Sequence, residues 1–421
     1  MNRLTQGVVR RAVRATNAVG SALSRVGVSL PGLEERSLRQ AAQRTSELED
    51  FGDETLRHAL RMLLRALENE ARLNLLGRVV ARQDIIGLLA TRLRLQHDWK
   101  CYPGIAAEHI RRPLFIVGLP RTGSTLLHRV LAQDPGNRVA QAWEVMYPSP
   151  PPTRECYETD PRIARAARQL EWFGTLNPDF QAIHATGPRL ALECIAFMSP
   201  SFLSWRFYTM YNVPSYQEWL EEQDFVPAYG FHRRVLQQLQ WRAPADRWVL
   251  KAPSHMLAFE ALFETYPDAD IVQTHRDPQT VFASAASLTA TLHSTFSDRP
   301  DHVGIGREVT RRWSLGLERA MQFRRSGRVA EDRFLDVHYH QLVTDPMATV
   351  RRIYTHFGIP LTAGVEARMR HFLAENPKDR HGRHRYSLEP FGLDGGDLSR
   401  RFKAYREYFD IPLEPTPGLE E

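Results

Sequence analysis

The sequence predicts an α/β protein: a parallel sheet flanked by helices, with a helical N-terminal segment before it and a helical, aromatic-rich insertion within it. Three observations support this class. From residue 113 onward, short apolar runs are each followed by a helical pattern. Before residue 110, leucines recur at helical spacing. Between the first apolar run and its helix lies GLPRTGST (118–125), a glycine loop of the kind that holds an anion at a helix start.

Residues 1–110 read as an N-terminal helical segment, and 111–421 as the main domain. The opening stretch, MNRLTQGVVRRAVRATNAVGSAL, is basic but lacks the unbroken apolar core of a secretory signal. Its valines can share one face with arginines opposite, a pattern compatible with peripheral membrane contact and with plain packing over the main domain. Over 53–97 the leucines of LRHALRMLLRALENEARLNLL continue the helical pattern. LFIVG (114–118) predicts a buried strand, with a helix from about Gly123 to Gln133. RWVLK (247–251), DIVQT (270–274) and RFLDV (333–337) predict three more strands, each with its own helix behind it. Between the first and second strands, about residues 145–245 form an insertion, a candidate lid over an acceptor. Its second half carries ten aromatics, from Phe202 and Trp205 to Tyr229 and Phe231, to be shared between core and pocket.

Composition narrows the function classes. The formal charge of +6 favours anionic ligands, although a solvated arginine-rich surface has the same composition. No nucleic-acid-binding motif is present, so nucleic acid is not an expected partner. No run of about 18 apolar residues suggests a membrane span. Cys101, Cys156 and Cys194 show no CxxC spacing, which argues against a zinc site and suits a reducing, cytoplasmic compartment.

GLPRTGST nearly has the spacing of a nucleotide-binding P-loop, G-x-x-x-x-G-K-[ST]. Gly118, Gly123 and Thr125 fit; Ser124 replaces the lysine, and a cation, Arg121, sits inside the loop instead. That moves positive charge towards the first phosphate of a donor and the group attached to it. At the end of the third predicted strand comes HRDPQTVFASAAS, where Ser284 follows Arg276 by eight residues. Arginine offers a bidentate fork and serine a hydroxyl to one anion. An Arg276–Asp277 pair with Ser284 as a packing residue is the simpler alternative.

With these two motifs the chain resembles the sulfotransferases that use 3′-phosphoadenosine-5′-phosphosulfate (PAPS), in their bacterial-type branch. Their phosphosulfate loop, P-[KR]-[ST]-G-[ST]-[ST], is matched by Pro120, Arg121, Thr122, Gly123, Ser124 and Thr125. Their 3′-phosphate motif is matched by Arg276 and Ser284, in the same order and separation. HGRHRYSLEPFGLD (381–394) is similar to the segment that closes over the nucleotide, which makes Arg383, His384, Arg385 and Tyr386 candidate donor contacts. The resemblance covers about 111–410. It implies a P-loop-like fold, PAPS as sulfuryl donor, a hydroxyl acceptor and no metal in the transfer step, while the aromatic-rich insertion suggests a bulky small molecule or lipid as that acceptor.

It also implies roles. Lys251, in WVLKAPSH, resembles the lysine that steadies the transition state beside the loop. Glu144, 23 residues after Arg121, resembles the glutamate base of the protein-tyrosine and heparan-type members. The histidine base of the cytosolic type would fall at Pro253 and is missing, so His255 and Glu193 are the rivals to Glu144. Two other readings are a P-loop kinase with a displaced cation, which the absent lysine and the Arg276/Ser284 pair oppose, and a catalytically silent anion-binding scaffold.

Overall fold

The structure, a computed structural model, describes residues 17–18, 30–177, 185–376 and 387–414. Most of the basic N-terminal stretch lies outside the described residues, as do Arg383, His384, Arg385 and Tyr386.

One sheet holds β1 (Leu114–Gly118), β2 (Asn137–Arg138), β3 (Arg247–Lys251), β4 (Asp270–His275) and β5 (Phe334–His338). All neighbouring strands are parallel, in the order β2-β3-β1-β4-β5. The four predicted strands are these strands to within a residue; β2, two residues long, is too short to carry a periodic signal. Every residue of β1 is buried, as expected for a central parallel strand covered on both faces. Alternate side chains enter different cores. Leu114 and Ile116 pack with Leu127, Val249, Val272 and Val350 on one face. Phe115 and Val117 join the larger core on the other. Each such buried aliphatic side chain contributes about 1.5–3 kcal/mol.

The helices before the sheet are α1 (Glu35–Ser46), α2 (Thr55–Asn69) and α3 (Leu75–Cys101). The single helical pattern expected over 53–97 is broken between α2 and α3, where Arg72 takes a positive φ of 47° and Asn74 caps α3 by accepting from the Gly77 N–H at 2.7 Å. After β1 comes α4 (Ser124–Leu131), and then α5 (Ala142–Met146), α6 (Pro161–Leu176), α7 (Cys194–Met198), α8 (Arg206–Met210), α9 (Pro214–Glu221) and α10 (Val226–Gln240) within the insertion region. α11 (Phe259–Thr265) follows β3 through a 3₁₀ turn at Pro253–Leu257, and α12 (Pro278–Phe296) follows β4. α13 (His302–Arg325), α14 (Tyr339–Thr344), α15 (Pro346–His356), α16 (Ala363–Glu375), α17 (Gly395–Arg401) and α18 (Lys403–Tyr408) complete the described helices.

The N-terminal helices share one continuous core with the sheet and the insertion: Leu60, Ile85 and Leu89 belong to the same cluster as Phe115, Phe202 and Phe282. The Asn74 N–H donates to the Phe296 carbonyl at 2.9 Å and ties the start of α3 to the end of α12. α3 thus faces two ways. Ile85, Leu89 and Leu93 are core, whereas Val80, Asp84, Leu88 and Thr91, three or four residues apart, line an open cleft. Of the ten aromatics in the second half of the insertion, Phe202, Phe207, Tyr216 and Tyr229 are fully buried packing, and Trp205 reaches the cleft wall, where Tyr147, Trp172 and Phe173 of the first half join it. No helix among the described residues is long and apolar enough to cross a membrane.

Because β1, β3 and β4 are parallel, their following loops emerge on one edge of the sheet, on either side of the point where the chain switches direction. Gly118 sits at that edge with φ 124°, paired with Thr274 of β4. A Cβ there would stand 2.2 Å from the Thr274 carbonyl oxygen, a backbone atom that cannot swing away. Gly118→Ala is therefore expected to destabilise the protein by at least about 2 kcal/mol, combining backbone strain with overpacking. Thermal unfolding of the variant against the parent protein checks this; an unchanged midpoint would show that the strand end adapts.

Candidate active site

The loop after β1 turns tightly: Arg121 has φ 65° and Gly123 φ 84°, and Ser124 begins α4. Backbone N–H groups at such a helix start face an incoming anion. Thr122 does not face the cleft as its motif position suggested. It is fully buried, with its hydroxyl 2.6 Å from the Leu119 carbonyl and 2.6 Å from the Thr274 hydroxyl, which in turn reaches the Val117 carbonyl at 3.0 Å. Thr122 braces the loop from beneath. Pro120, Arg121, Gly123, Ser124 and Thr125 line the cleft above it.

The two sequence motifs meet. Arg121 Nε donates to Ser284 Oγ at 3.1 Å, and Arg276 approaches the Arg121 carbonyl at 3.4 Å. Arg276 lies over the Tyr339 ring at 3.9 Å from its centre, a support no local pattern announced. The simpler Arg276–Asp277 pairing does not occur. Asp277 caps α12 through the Gln279 N–H and accepts the Glu414 N–H, while the Glu414 carboxylate takes Arg276 in a fork of 2.8–3.0 Å. The carboxylate oxygens of Glu414 thus stand where a phosphate would bring its own.

Lys251, almost wholly buried, donates from Nζ to Thr125 Oγ1 at 3.2 Å and pairs closely with Glu193. Glu193 reaches this point because residues 140–141 and 191–192 pair side by side: the Leu192 N–H donates to the Ala140 carbonyl at 2.9 Å, and Gln141 bridges Ala191. It stands at the start of α7 and lines the cleft.

The other two candidate bases are elsewhere. Glu144 has no exposed surface and does not line the cleft. Its carboxylate is paired with buried Arg138, accepts from Tyr157 Oη at 2.9 Å and accepts the Gln141 N–H at 3.1 Å, so it closes the first turn of α5. His255 is buried in the core, Nδ1 2.6 Å from Tyr229 Oη and its ring edge-on to Phe115. Burial depresses its pKa to about 3, so it is neutral across the physiological range. Both sit one or two residues from cleft-lining neighbours, which is why spacing along the chain could not separate them from Glu193.

The loop residues above Thr122, with Glu193, Lys251, Arg276 and Ser284, open into one cleft of about 1850 Å³. That exceeds the usual range of about 300–1,000 Å³ for a small-molecule site, leaving room for a nucleotide and a second large molecule. The half away from the loop is walled by apolar residues of α3, α7, α12 and α13, including Val80, Leu88, Ile195, Leu288, Leu292 and Trp313. Among the described residues no cluster of side chains has a metal-binding arrangement.

Comparison with known proteins gives the family and the fold. A sulfotransferase family model matches residues 113–363. An omega-hydroxy-beta-dihydromenaquinone-9 sulfotransferase, Stf3 of Mycobacterium bovis, is 25% identical over 329 residues, covering 73% of this chain and 79% of the relative. The crystal structure of sulfotransferase STF1 from Mycobacterium tuberculosis H37Rv superposes with a TM-score of 0.79 at 36% identity, over 88% of this chain and 98% of the other. Sulfotransferase STF9 from Mycobacterium avium gives 0.82 at 28% identity, over 92% and 99%. The anion loop on a parallel strand, the arginine and serine that meet it, and these likenesses together make the chain a member of the sulfotransferase family, an enzyme with the P-loop-like sulfotransferase fold.

Proposed function

We propose that the enzyme transfers the sulfuryl group of PAPS to the hydroxyl of a large apolar alcohol, with Glu193 rather than Glu144 as general base. The observation that carries this is the cluster of Glu193, Lys251 and Thr125 at the boundary between the anion loop and the apolar half of the cleft. The 5′-phosphosulfate lies against the 120–125 backbone, and the 3′-phosphate takes Arg276 and Ser284. The donor's oxygens compete for Lys251, which releases the Glu193 carboxylate towards the acceptor.

The acceptor oxygen attacks sulfur as the bond from sulfur to the 5′-phosphate oxygen breaks. Glu193 accepts the hydroxyl proton. Arg121 and Lys251 balance charge on the sulfuryl and departing oxygens, and adenosine 3′,5′-bisphosphate leaves. The apolar wall supports a lipid alcohol as acceptor, in keeping with the omega-hydroxy-beta-dihydromenaquinone-9 named for one relative. Incubation with labelled PAPS and a panel of lipid alcohols, read by mass spectrometry, tests the reaction as a whole.

The choice of base has its own test. Glu193→Gln should lower turnover by about 10²–10⁴-fold while leaving bisphosphate binding nearly unchanged. Glu144→Gln should instead act on stability. It leaves Arg138 buried without its counter-charge, a loss of about 3–5 kcal/mol, while folded molecules keep their turnover. Turnover lost in Glu144→Gln at full folding, with Glu193→Gln active, would return the role to Glu144.

Donor recognition can be divided by ligand. Arg276→Ala should weaken adenosine 3′,5′-bisphosphate by roughly 10- to 150-fold and leave the 5′-monophosphate much less affected. Calorimetry showing equal losses would remove Arg276 from the 3′-phosphate.

Glu414 competes with that phosphate for the same arginine. Both partners are partly exposed, at 18% and 28% of their side chains, so the pair is worth little on its own. Glu414→Gln should therefore tighten the bisphosphate by no more than about fivefold, and the gain should vanish in an Arg276→Ala background. Weaker binding in Glu414→Gln would show that the carboxylate positions the arginine instead of occupying it.

A further inference from the structure

The apolar half of the cleft contains a charge that nothing on the wall balances. Arg312, on α13, is 5% exposed and lines the cleft. Its guanidinium lies over the Tyr208 ring at 4.4 Å and the Trp313 ring at 4.9 Å, which fixes its position. Among the described residues it makes no ion pair and donates no hydrogen bond, and its Nε is a buried donor without an acceptor.

The acidic groups nearby are committed elsewhere. Glu221 and Glu308 both hold Arg311, at 2.7 Å and 2.6 Å. Asp84, on the facing wall, is held by both terminal nitrogens of Arg206 at 2.8 and 2.9 Å. Burial pulls the Arg312 pKa down, and Glu308 and Glu221, which form their ion pairs with Arg311, offset this only in part; Arg206 and Arg311, beside their own carboxylates, shift the other way. A lone guanidinium in an apolar wall is the costly arrangement that folded proteins avoid unless a ligand completes it.

The place of Arg312 suggests what that ligand is. α12 runs from the donor site to Arg312: Ser284 meets the anion loop, Leu288 and Leu292 line the cleft, and His293 lies within reach of the Arg312 charge. From Ser284 to His293 the helix rises about 13 Å. The wall between is mostly apolar, with Ala285, Leu288 and Leu292 beside Thr289.

We infer that the acceptor is an amphiphile carrying an oxyanion, a carboxylate or phosphate, which Arg312 binds apart from the hydroxyl that receives the sulfuryl group. The inference rests on the sulfuryl-transfer reading for the position of the hydroxyl, while the oxyanion site stands on Arg312 itself. The apolar span between them then sets the length of acceptor, and the neutral alcohol of the same length lacks one of its two anchors.

The test uses the full-length enzyme saturated with adenosine 3′,5′-bisphosphate. Affinities are measured by calorimetry for ω-hydroxylauric acid, for the monophosphate of the matching diol, and for lauryl alcohol. At least one anionic probe should bind about 10- to 150-fold more tightly than lauryl alcohol, and the tighter of the two identifies the oxyanion. Arg312→Met should erase that difference, and Arg312→Lys should keep part of it. Bisphosphate affinity in both variants reports that the fold is intact. Equal affinity for the three probes, no binding of any of them, or an anionic preference that survives in Arg312→Met would overturn the inference. Because these are binding measurements, sulfuryl transfer to neutral alcohols alone would sink the oxyanion site and leave the transfer reading standing; a preserved anionic preference without any transfer would do the reverse.

Discussion

The site depends on the close contact between the end of β1 and the end of β4. Gly118 meets Thr274 backbone to backbone, and the Thr122 and Thr274 hydroxyls, with one proton each, share contacts to the Leu119 and Val117 carbonyls and to each other. The anion loop is therefore built onto β4 as much as it is grown from β1. Two residues beyond Thr274 the chain delivers Arg276, and the first turns of α12 deliver Ser284 against Arg121. Two adjacent parallel strands in a fixed register thus hold the loop and the arginine–serine pair at a fixed separation.

Buried charge is managed differently in the two halves of the cleft. In the donor half the protein supplies its own anions, Glu193 on Lys251 and Glu414 on Arg276. Each holds a cation of the cleft, so these cations are not left desolvated and alone. Away from the cleft, Arg138 and Glu144 do the same for each other permanently, within a wall of aromatic rings. The acceptor half follows this rule at Arg206 and Asp84 but departs from it at Arg312.

The helices before the sheet and those of the insertion are part of the same construction. α3 packs its core face against the insertion and turns its other face to the cleft, so the acceptor wall is assembled from segments far apart in the chain. Its start is tied to the end of α12, the helix that carries Ser284, by the Asn74–Phe296 backbone bond. Acceptor wall and donor anchor share one rigid element, which fits a reaction that requires two oxygens in line with sulfur.

The alternation of apolar runs and helices in the sequence determined the parallel sheet, because strands buried on both faces must be continuously apolar and must be separated by crossover helices. The loop and the arginine–serine pair were legible too, since each is local: one turn, or two turns of one helix. Tertiary structure alone decided which carboxylate lines the cleft. Glu144, Glu193 and His255 are all short distances from cleft residues along the chain. A half-turn of a short helix, the pairing of 140–141 with 191–192, and a 3₁₀ turn after β3 send one into the cleft and two into packing. The same holds for Arg312, one of many arginines in an arginine-rich chain. Its distinction is the absence of an ion-pair partner among the described residues, and the pairing of α13 with α9 and of α8 with α3 is a property of the packed molecule that no stretch of sequence contains.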